Sequence, residues 1–157
     1  MSGEEVVPAK KKRKGTKDER LKRSQVLLDV TRRCASLANI QDVWKELVSM
    51  TSYELDCDRG TLFLNDNETN ELFSFVAQGN LTREIRILND SGLAGHVFQT
   101  GQAMLSDNPY EDPLFNREVD QRTGYTTRNI ACVPVRTMAG EKIGVMQTLN
   151  KRLGEFN

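Results

Sequence analysis

Apolar residues recur at helical spacing in the first third of the chain. Between about Asp18 and Ala38 they leave one apolar face on a predicted helix, and Asn39, with Asp42 three residues later, predicts the N-cap of a second helix. The first stripe consists of Leu27, Val30, Cys34 and Leu37, and the second of Ile40, Val43, Leu47 and Met50, with Trp44, Val48, Thr51 and Leu55 beside it. Such stripes usually pack into a core.

The apolar period changes to two after Asp58. Two runs, at 61–64 and 72–77, flank the turn-rich segment 65–70 and predict a β-hairpin. Further strands are predicted at 84–88, 129–135 and 142–149, with a short edge strand at Met104 and Leu105. We therefore expect an α+β fold, in which an antiparallel sheet carries the N-terminal helices on one face and a loop-and-helix lid on the other.

Composition narrows the class of protein. The chain has 157 residues, of which 38% are hydrophobic, and this suits one domain with one core. No apolar run approaches the roughly 20 residues of a membrane-spanning helix, and the N-terminus lacks the apolar stretch of a signal peptide. Cys34, Cys57 and Cys132 are scattered without metal-ligand spacing, so we expect reduced thiols and a cytoplasmic location.

The net charge of zero hides a basic segment near the N-terminus. From Lys10 to Arg23 the chain carries nine basic and two acidic residues, whereas thirteen basic and eighteen acidic residues follow. A basic run can mark nuclear import or nucleic-acid binding, but no aromatic residue is interleaved here for base stacking. We interpret residues 1–17 as a disordered, solvated leader and residues 18–157 as a single, mildly acidic domain that does not favour nucleic acid.

The segment 91–134 carries the strongest functional signal. Gly92 and Gly95 punctuate an apolar helical turn, where the backbone can approach another group closely, and Ser91 precedes it as a predicted N-cap. Free N–H groups at such a helix start suit a small anion such as a phosphate ester. Acceptors and hydroxyls follow on a segment of mixed helix and turn signals, at Asp120, Thr123 and Thr127.

Four motifs occur here in the order and spacing of a known family. They are GLAGHV with a following TGQ, the triplet PLF, the run VDQRTGYTTRNI, and the later Leu149-Asn150-Lys151. On these motifs the chain, from about Leu21 to Asn157, closely resembles the cyclic-nucleotide-binding subclass of GAF domains, the regulatory modules of phosphodiesterases and bacterial class III adenylyl cyclases. The resemblance implies a regulatory domain rather than an enzyme, without a cofactor, that binds cAMP in preference to cGMP and controls a linked signalling domain. A ligand-free dimerisation module and a sensor of another small metabolite are the alternatives.

The resemblance also implies which residues contact the ligand. Backbone N–H groups near Leu93 and Ala94 would bind the phosphate, with the helix dipole contributing about 0.3–1 kcal/mol. The base, the ribose and the rest of the phosphate would meet Thr61, Ala77, Gln78, Asp120, Thr123, Thr127 and Gln147. Ala77 and Gln78 stand where relatives often place an aromatic and an acidic residue, so a stacking contact worth about 1 kcal/mol is absent there. Strand propensity for Thr61, and local capping for Asp120 and the two threonines, are the structural alternatives.

The two ends of the domain and its single histidine complete the interpretation. The first helix would pair with its copy in a homodimer, as first helices of such domains commonly do. Asn150, Lys151 and Phe156 begin a motif whose acidic pair would follow Asn157, so we expect a piece of a longer protein with its C-terminal helix truncated.

His96 has no neighbouring His, Cys or Asp at ligand spacing, and we interpret it as structural or pocket-lining.

Overall fold

The computed structural model describes residues 16–79 and 84–156. Most of the predicted basic leader falls outside these ranges, so its interpretation stays a prediction. The described residues fall into two compact units, which divide between Ser36 and Leu37. Helix α1 (Lys17–Ala35) belongs to the first unit, and the second carries all of the other helices and strands given below. Among the described residues, no helix combines the length and the apolar character needed to cross a membrane.

Helix α1 begins with a reciprocal capping box. Thr16 Oγ1 accepts a hydrogen bond from the backbone N–H of Glu19 at 3.3 Å, and the Glu19 carboxylate accepts one from the Thr16 N–H at 2.7 Å. None of the 19 residues of α1 is buried. The predicted helix is confirmed, but its leucines are exposed to solvent, at 59% for Leu21, 66% for Leu27 and 58% for Leu28.

Helix α2 (Ile40–Glu54) packs on the sheet through the middle of its predicted stripe. Asn39 Oδ1 accepts from the Asp42 N–H at 2.9 Å, which confirms the predicted N-cap. Val48 and Met50 are buried. The predicted stripe is wrong at its two ends, because Ile40 and Leu55 stand at the first residue and the C-cap of the helix and are 63% and 39% exposed.

Six strands form one antiparallel sheet in the order β3-β2-β1-β6-β5-β4. The strands are β1 (Cys57–Asp66), β2 (Glu71–Ala77), β3 (Arg86–Leu88), β4 (Met104–Ser106), β5 (Ile130–Arg136) and β6 (Lys142–Lys151). The predicted hairpin and edge strand are confirmed. The third strand begins at Arg86 rather than Glu84, because the Ile85 N–H donates to the side-chain oxygen of Ser74 (2.8 Å) rather than to a backbone carbonyl.

The two faces of the sheet carry different cover. On one face α2 lies against β1, and Gly60 permits this approach because a Cβ there would collide with Ser52 Oγ. On the other face α3 (Gly92–Thr100) packs over a core cluster of Phe63, Leu72, Ile85, Ala94, Val97, Phe98, Cys132 and Val145. A 3₁₀ turn (Pro109–Glu111) and α4 (Arg117–Thr123) follow β4 in the chain. The predicted α+β architecture is therefore confirmed.

The end of β6 is tied back to the sheet. Phe156 is 7% exposed and clusters with Cys57 and Ala131. The Lys151 ammonium donates to the carbonyl oxygen of Glu155 at 3.0 Å, and lies 5.8 Å from the centre of the Phe156 ring. These contacts hold the residues after β6 beside the start of β1.

Candidate functional site

A cavity lies between the sheet and the segments that carry α3 and α4. The space between these elements is about 460 Å³ when the open solvent at its mouth is included. Apolar side chains line most of it, and four polar side chains enter it. The lining residues are Phe63, Ile87, Gly92, Leu93, Ala94, Phe115, Asn116, Val119, Asp120, Thr127, Ile130, Gln147 and Leu149.

The floor of the cavity is set by strand register. Gln147 on β6 lies opposite Thr61 on β1 and opposite Cys132 on β5. Residues directly opposite one another point to the same face of a sheet, so this row faces α3. Burial raises the pKa of the Cys132 thiol in this row to about 12.

The first turn of α3 forms one wall. The Gly95 N–H is the first to bond within the helix, donating to the Ser91 carbonyl at 3.0 Å, so the N–H groups of Leu93 and Ala94 precede the intrahelical ladder. Gly92 adopts a φ of 70°, and a Cβ there would lie 3.3 Å from the Asn116 side chain. Ser91 is the N-cap, as predicted, but its hydroxyl makes no capping hydrogen bond.

The predicted lid, residues 113–127, is organised around a buried carboxylate. Asp120 is 6% exposed and accepts hydrogen bonds from the Thr127 N–H (2.7 Å), the Thr127 hydroxyl (2.9 Å) and the Tyr110 hydroxyl (2.8 Å). The hydrogen bond to Asp120 raises the pKa of the Tyr110 phenol above its ordinary value. Asn116 Oδ1 caps α4 by accepting from the Glu118 N–H at 3.0 Å.

Five of the nine predicted ligand residues meet in this cavity: Leu93, Ala94, Asp120, Thr127 and Gln147. The other four do not line it. Thr61 is 6% exposed, with Ala77 opposite it on β2. Gln78 Oε1 accepts from the Gly60 N–H at 2.7 Å, and the Thr123 hydroxyl donates to the Val119 carbonyl at 2.8 Å. The role of all nine in binding a ligand stays a prediction.

The apolar lining was missed at the sequence level. Strand alternation could have found part of it, because Phe63 lies two residues from Thr61, and Leu149 lies two residues from Gln147. Asn116 stands one helical turn before Asp120, a spacing that also indicates a shared face. Ile87, Phe115, Val119 and Ile130 reach the cavity through tertiary packing, which no local pattern announces.

The cavity has little positive charge of its own. Among the described residues that line it, Asp120 is the only ionisable residue, and there is no lysine, arginine or histidine. His96, predicted as structural or pocket-lining, is half-buried in α3 and does not line the cavity. The arrangement can hold a mostly apolar molecule, with hydrogen-bonding groups at one end and a helix N-terminus for an anion.

Comparison with known proteins agrees with this architecture. The family model described as "GAF domain" matches residues 39–157. The chain is 33% identical over 148 residues to the probable 3′,5′-cyclic phosphodiesterase pde-5 of Caenorhabditis elegans, covering 86% of this chain and 20% of that protein. It is 28% identical over 153 residues to the dual 3′,5′-cyclic-AMP and -GMP phosphodiesterase 11 of Drosophila melanogaster, covering 87% of this chain and 10% of that protein. The chain thus spans a fifth or less of these relatives.

A solved structure shares the fold. The GAF domain of a phosphoenolpyruvate-protein phosphotransferase from Coxiella burnetii superposes with a TM-score of 0.76 at 18% sequence identity. The match covers 85% of this chain and 80% of that domain. At this identity the likeness concerns the fold alone.

Proposed function

The chain belongs to the GAF domain family of regulatory, ligand-sensing modules, and we propose that it binds a cyclic nucleotide, with cAMP favoured over cGMP. The observation that carries the proposal is a cavity that joins three features. An apolar lining, the first turn of α3 and the buried Asp120–Thr127 pair all meet there. A nucleotide has the matching parts, which are a flat base, a sugar with hydroxyl groups and an anionic phosphate.

We assign the base to the apolar part of the cavity. Phe63, Phe115, Ile130 and Leu149 line it and can cover a purine ring system. Burying such a ring removes apolar surface from water, which stabilises the complex by about 25 cal/mol per Å². An aromatic contact adds about 0.5–1.5 kcal/mol. Phe115, supplied by the lid, compensates for the aromatic contact that is missing at Ala77.

We assign the phosphate to the first turn of α3. The N–H groups of Leu93 and Ala94 are not used within the helix, and the helix dipole favours an anion at this end. A cyclic phosphodiester carries a single negative charge, whereas a 5′-phosphate carries almost two. The single charge suits a cavity in which Asp120 is present and no described lining residue is basic.

Gln147 is the residue that we propose to choose the base. Its side chain enters the cavity from β6. The amide carbonyl oxygen can accept a hydrogen bond from the exocyclic amino group of adenine, whereas guanine carries a carbonyl oxygen at the equivalent position. An amide that presents its oxygen to the base would therefore favour cAMP.

The proposed role is regulation of a linked domain in a longer cytoplasmic protein. A ligand shifts a conformational equilibrium only when it binds one state better than the other. Ordering of the lid over the nucleotide supplies that difference, and the signal would leave through α1 or through the chain beyond Phe156. The two relatives, a 3′,5′-cyclic phosphodiesterase and a dual cyclic-AMP and -GMP phosphodiesterase, support this role.

The site assignment is tested by binding of cAMP, cGMP, 5′-AMP and adenosine to the chain. We expect cAMP to bind more tightly than cGMP, and both to bind more tightly than 5′-AMP or adenosine. Replacing both Asp120 and Thr127, which line the cavity, by alanine should weaken cAMP binding at least about tenfold, a loss of about 1.4 kcal/mol. The exposed pair Asp107→Ala and Thr69→Ala, outside the lid, is the matched control. Unchanged affinity in the first double variant would overturn the site, and no binding by the wild type would overturn the ligand.

A second function, homodimerisation through α1, has an observation of its own. Three leucines of α1 are more than half exposed and none of its residues is buried, which is unusual for an apolar stripe unless a partner covers it. Sedimentation should find a dimer at micromolar concentration for the wild type and a monomer for the Leu27→Glu, Leu28→Glu variant. Leu153→Glu, at a residue 78% exposed outside α1, should stay dimeric. A wild type that is monomeric at all concentrations would contradict this role.

A further inference from the structure

The C-terminal end of α3 is held by two cationic side chains of the β5–β6 hairpin. The Lys142 ammonium donates to the Gln99 carbonyl at 2.5 Å, and the Arg136 guanidinium donates to the Gly101 carbonyl at 3.0 Å. Arg136 also donates to the Gly140 carbonyl, in the turn of its own hairpin, at 3.0 Å. Carbonyl groups at the end of α3 are thus satisfied by residues 35 and 43 positions further along the chain.

Gly101 makes the close approach of Arg136 possible. It is the C-cap of α3, with a φ of 68°, and its N–H donates to the Val97 carbonyl at 2.8 Å. A Cβ at this position would collide with the Arg136 guanidinium. The Lys142 ammonium lies 5.6 Å from the centre of the Phe98 ring, which adds a cation–π contact. The end of α3 is therefore shaped to receive both cations.

Helix α3 has no charged residue of its own to complement its dipole. Its first turn carries no acidic residue and its last turn carries no basic one. Helices α1 and α4, by contrast, have acidic residues in the first turn and arginine in the last. The negative end of the α3 dipole is instead compensated by the tertiary contacts with Arg136 and Lys142.

Helix α3 is short enough for its two ends to influence one another. At 1.5 Å per residue its nine residues span about 13 Å. The Debye length is about 10 Å in 0.1 M salt and about 30 Å in 0.01 M salt. In so short a helix the negative end offsets part of the attraction that an anion experiences at the positive end, and cations at the negative end remove that offset.

This effect matters because the first turn of α3 forms a wall of a cavity that has no basic side chain among its described lining residues. We propose that Arg136 and Lys142 are remote specificity-determining residues, which favour an anion in the cavity by neutralising the C-terminal end of α3. Neither residue is among those that line the cavity. The inference rests on the proposed function for the identity of the ligand, but not for the electrostatic effect at the start of α3.

A thiol introduced at the N-cap of α3 tests the electrostatic effect without a nucleotide. Ser91 is half-buried and its hydroxyl makes no capping hydrogen bond. A thiol at a helix N-terminus has a lowered pKa, which the rate of its reaction with a disulfide reagent against pH reports. In a Ser91→Cys, Cys34→Ser background, Arg136→Gln with Lys142→Gln should raise that pKa by about 0.4 in 0.01 M salt. The rise should fall below about 0.1 in 0.5 M salt.

Two control variants in the same background separate charge at this end of α3 from other effects. Arg136→Lys with Lys142→Arg keeps both charges and should leave the pKa of the introduced thiol within about 0.1 of the parent value. Lys45→Gln with Arg32→Gln removes the same net charge from exposed positions on α2 and α1, and should also leave it there.

Two outcomes of this experiment would overturn the proposal. In one, Arg136→Gln with Lys142→Gln leaves the pKa of the introduced thiol unchanged in 0.01 M salt. In the other, Lys45→Gln with Arg32→Gln raises it equally. If the first double variant does not fold, Lys142→Gln alone should raise the pKa by about 0.2. No rise in that single variant would then decide against the role of the two cations.

Affinity for cAMP separates this inference from the proposed function. If cAMP binds the wild type, Arg136→Gln with Lys142→Gln should weaken binding about threefold in 0.01 M salt and less than about 1.5-fold in 0.5 M salt. Unchanged affinity in low salt, or equal weakening at both salt concentrations, would overturn the proposal, because side chains that only anchor α3 act independently of salt. If the wild type binds no cyclic nucleotide but the pKa of the introduced thiol rises as expected, the proposed ligand is wrong and the role of the two cations stands.

Discussion

The carboxylate of Asp120 accepts two hydrogen bonds from one residue, Thr127, through its backbone N–H at 2.7 Å and its hydroxyl at 2.9 Å. Asp120 lies in α4, and Thr127 follows it beyond the turn at Gly124, whose φ of 67° reverses the chain. Both residues are buried. These hydrogen bonds join α4 to the end of the lid, so a change in either residue should alter stability as well as ligand binding.

Thr127→Val should lower the free energy of unfolding by about 1.5–3 kcal/mol. Valine keeps the shape of threonine, but the buried carboxylate of Asp120 loses a hydroxyl donor, and hydrogen bonds to charged groups are worth about that much. Urea denaturation at neutral pH measures the loss.

Thr123→Val is the matched control for that variant. The Thr123 hydroxyl donates to the Val119 carbonyl of its own helix and the residue is half-buried, so the change should cost about 0.5 kcal/mol or less. Equal losses in the two variants would contradict the central place of the Asp120–Thr127 pair.

Gly95→Ala should destabilise the domain by about 1–3 kcal/mol, although alanine favours a helix by about 1 kcal/mol. A Cβ at this position would lie 2.6 Å from the backbone carbonyl carbon of Asp90, so the first turn of α3 must shift. The shift should also weaken cAMP binding. Gly140→Ala is the control, because it carries a backbone penalty (φ 90°) with no atom within 4 Å of the new Cβ. A stabilised Gly95→Ala domain would show that α3 does not pack as described.

One of the three thiols should react quickly with a disulfide reagent at pH 8. Burial raises the pKa of Cys132 to about 12 and also raises that of Cys57, so both are protonated and shielded at this pH. Cys34 is half-buried in α1. We expect Cys57 and Cys132 to react at least about a hundredfold more slowly than Cys34, and Cys34→Ser to remove the fast phase. Three equal rates in the native protein would contradict the burial of the sheet cysteines.

Stability should fall as the pH rises above about 10. The hydrogen bond to Asp120 raises the pKa of Tyr110, so its stabilising contribution is complete below the unfolded-state pKa of about 10. That contribution is lost as the pH rises through the higher folded-state value. Tyr110→Phe should reduce the slope of stability against pH between about pH 9 and 11. Tyr53→Phe, which removes a phenol of an 83% exposed residue, is the control, and equal slopes in the two variants would count against the Tyr110–Asp120 bond.

Local sequence patterns predicted the elements of this fold well because their periods report burial directly. The Asn39 cap, the hairpin and the short edge strand all depend on contacts within a few residues or on simple alternation. The stripe on α2 was predicted too long for a physical reason. Ile40 and Leu55 fit its spacing, but they stand at the ends of the helix, where they are exposed.

The cavity was predicted only in part, because its residues come from strands and helices far apart in the chain. Thr123 and Thr127 look alike in the sequence, yet the turn at Gly124 brings one hydroxyl to Asp120 and leaves the other on its own helix. Gln78 was expected to face the base, but strand pairing places it against the backbone of Gly60. Asn150 was recognised only as part of a motif. Its side-chain hydrogen bonds to the segment 125–128 depend on the fold and could not be predicted from the sequence.

Titration calorimetry of the chain with cAMP, followed by cGMP, tests the central claim most directly. The cavity predicts micromolar or tighter binding of cAMP and weaker binding of cGMP, with saturation at one nucleotide per chain. If neither nucleotide gives binding heat up to millimolar concentration, and neither competes with the other, the result would contradict a cyclic-nucleotide site. It would leave a GAF scaffold whose function lies in α1 or with another metabolite.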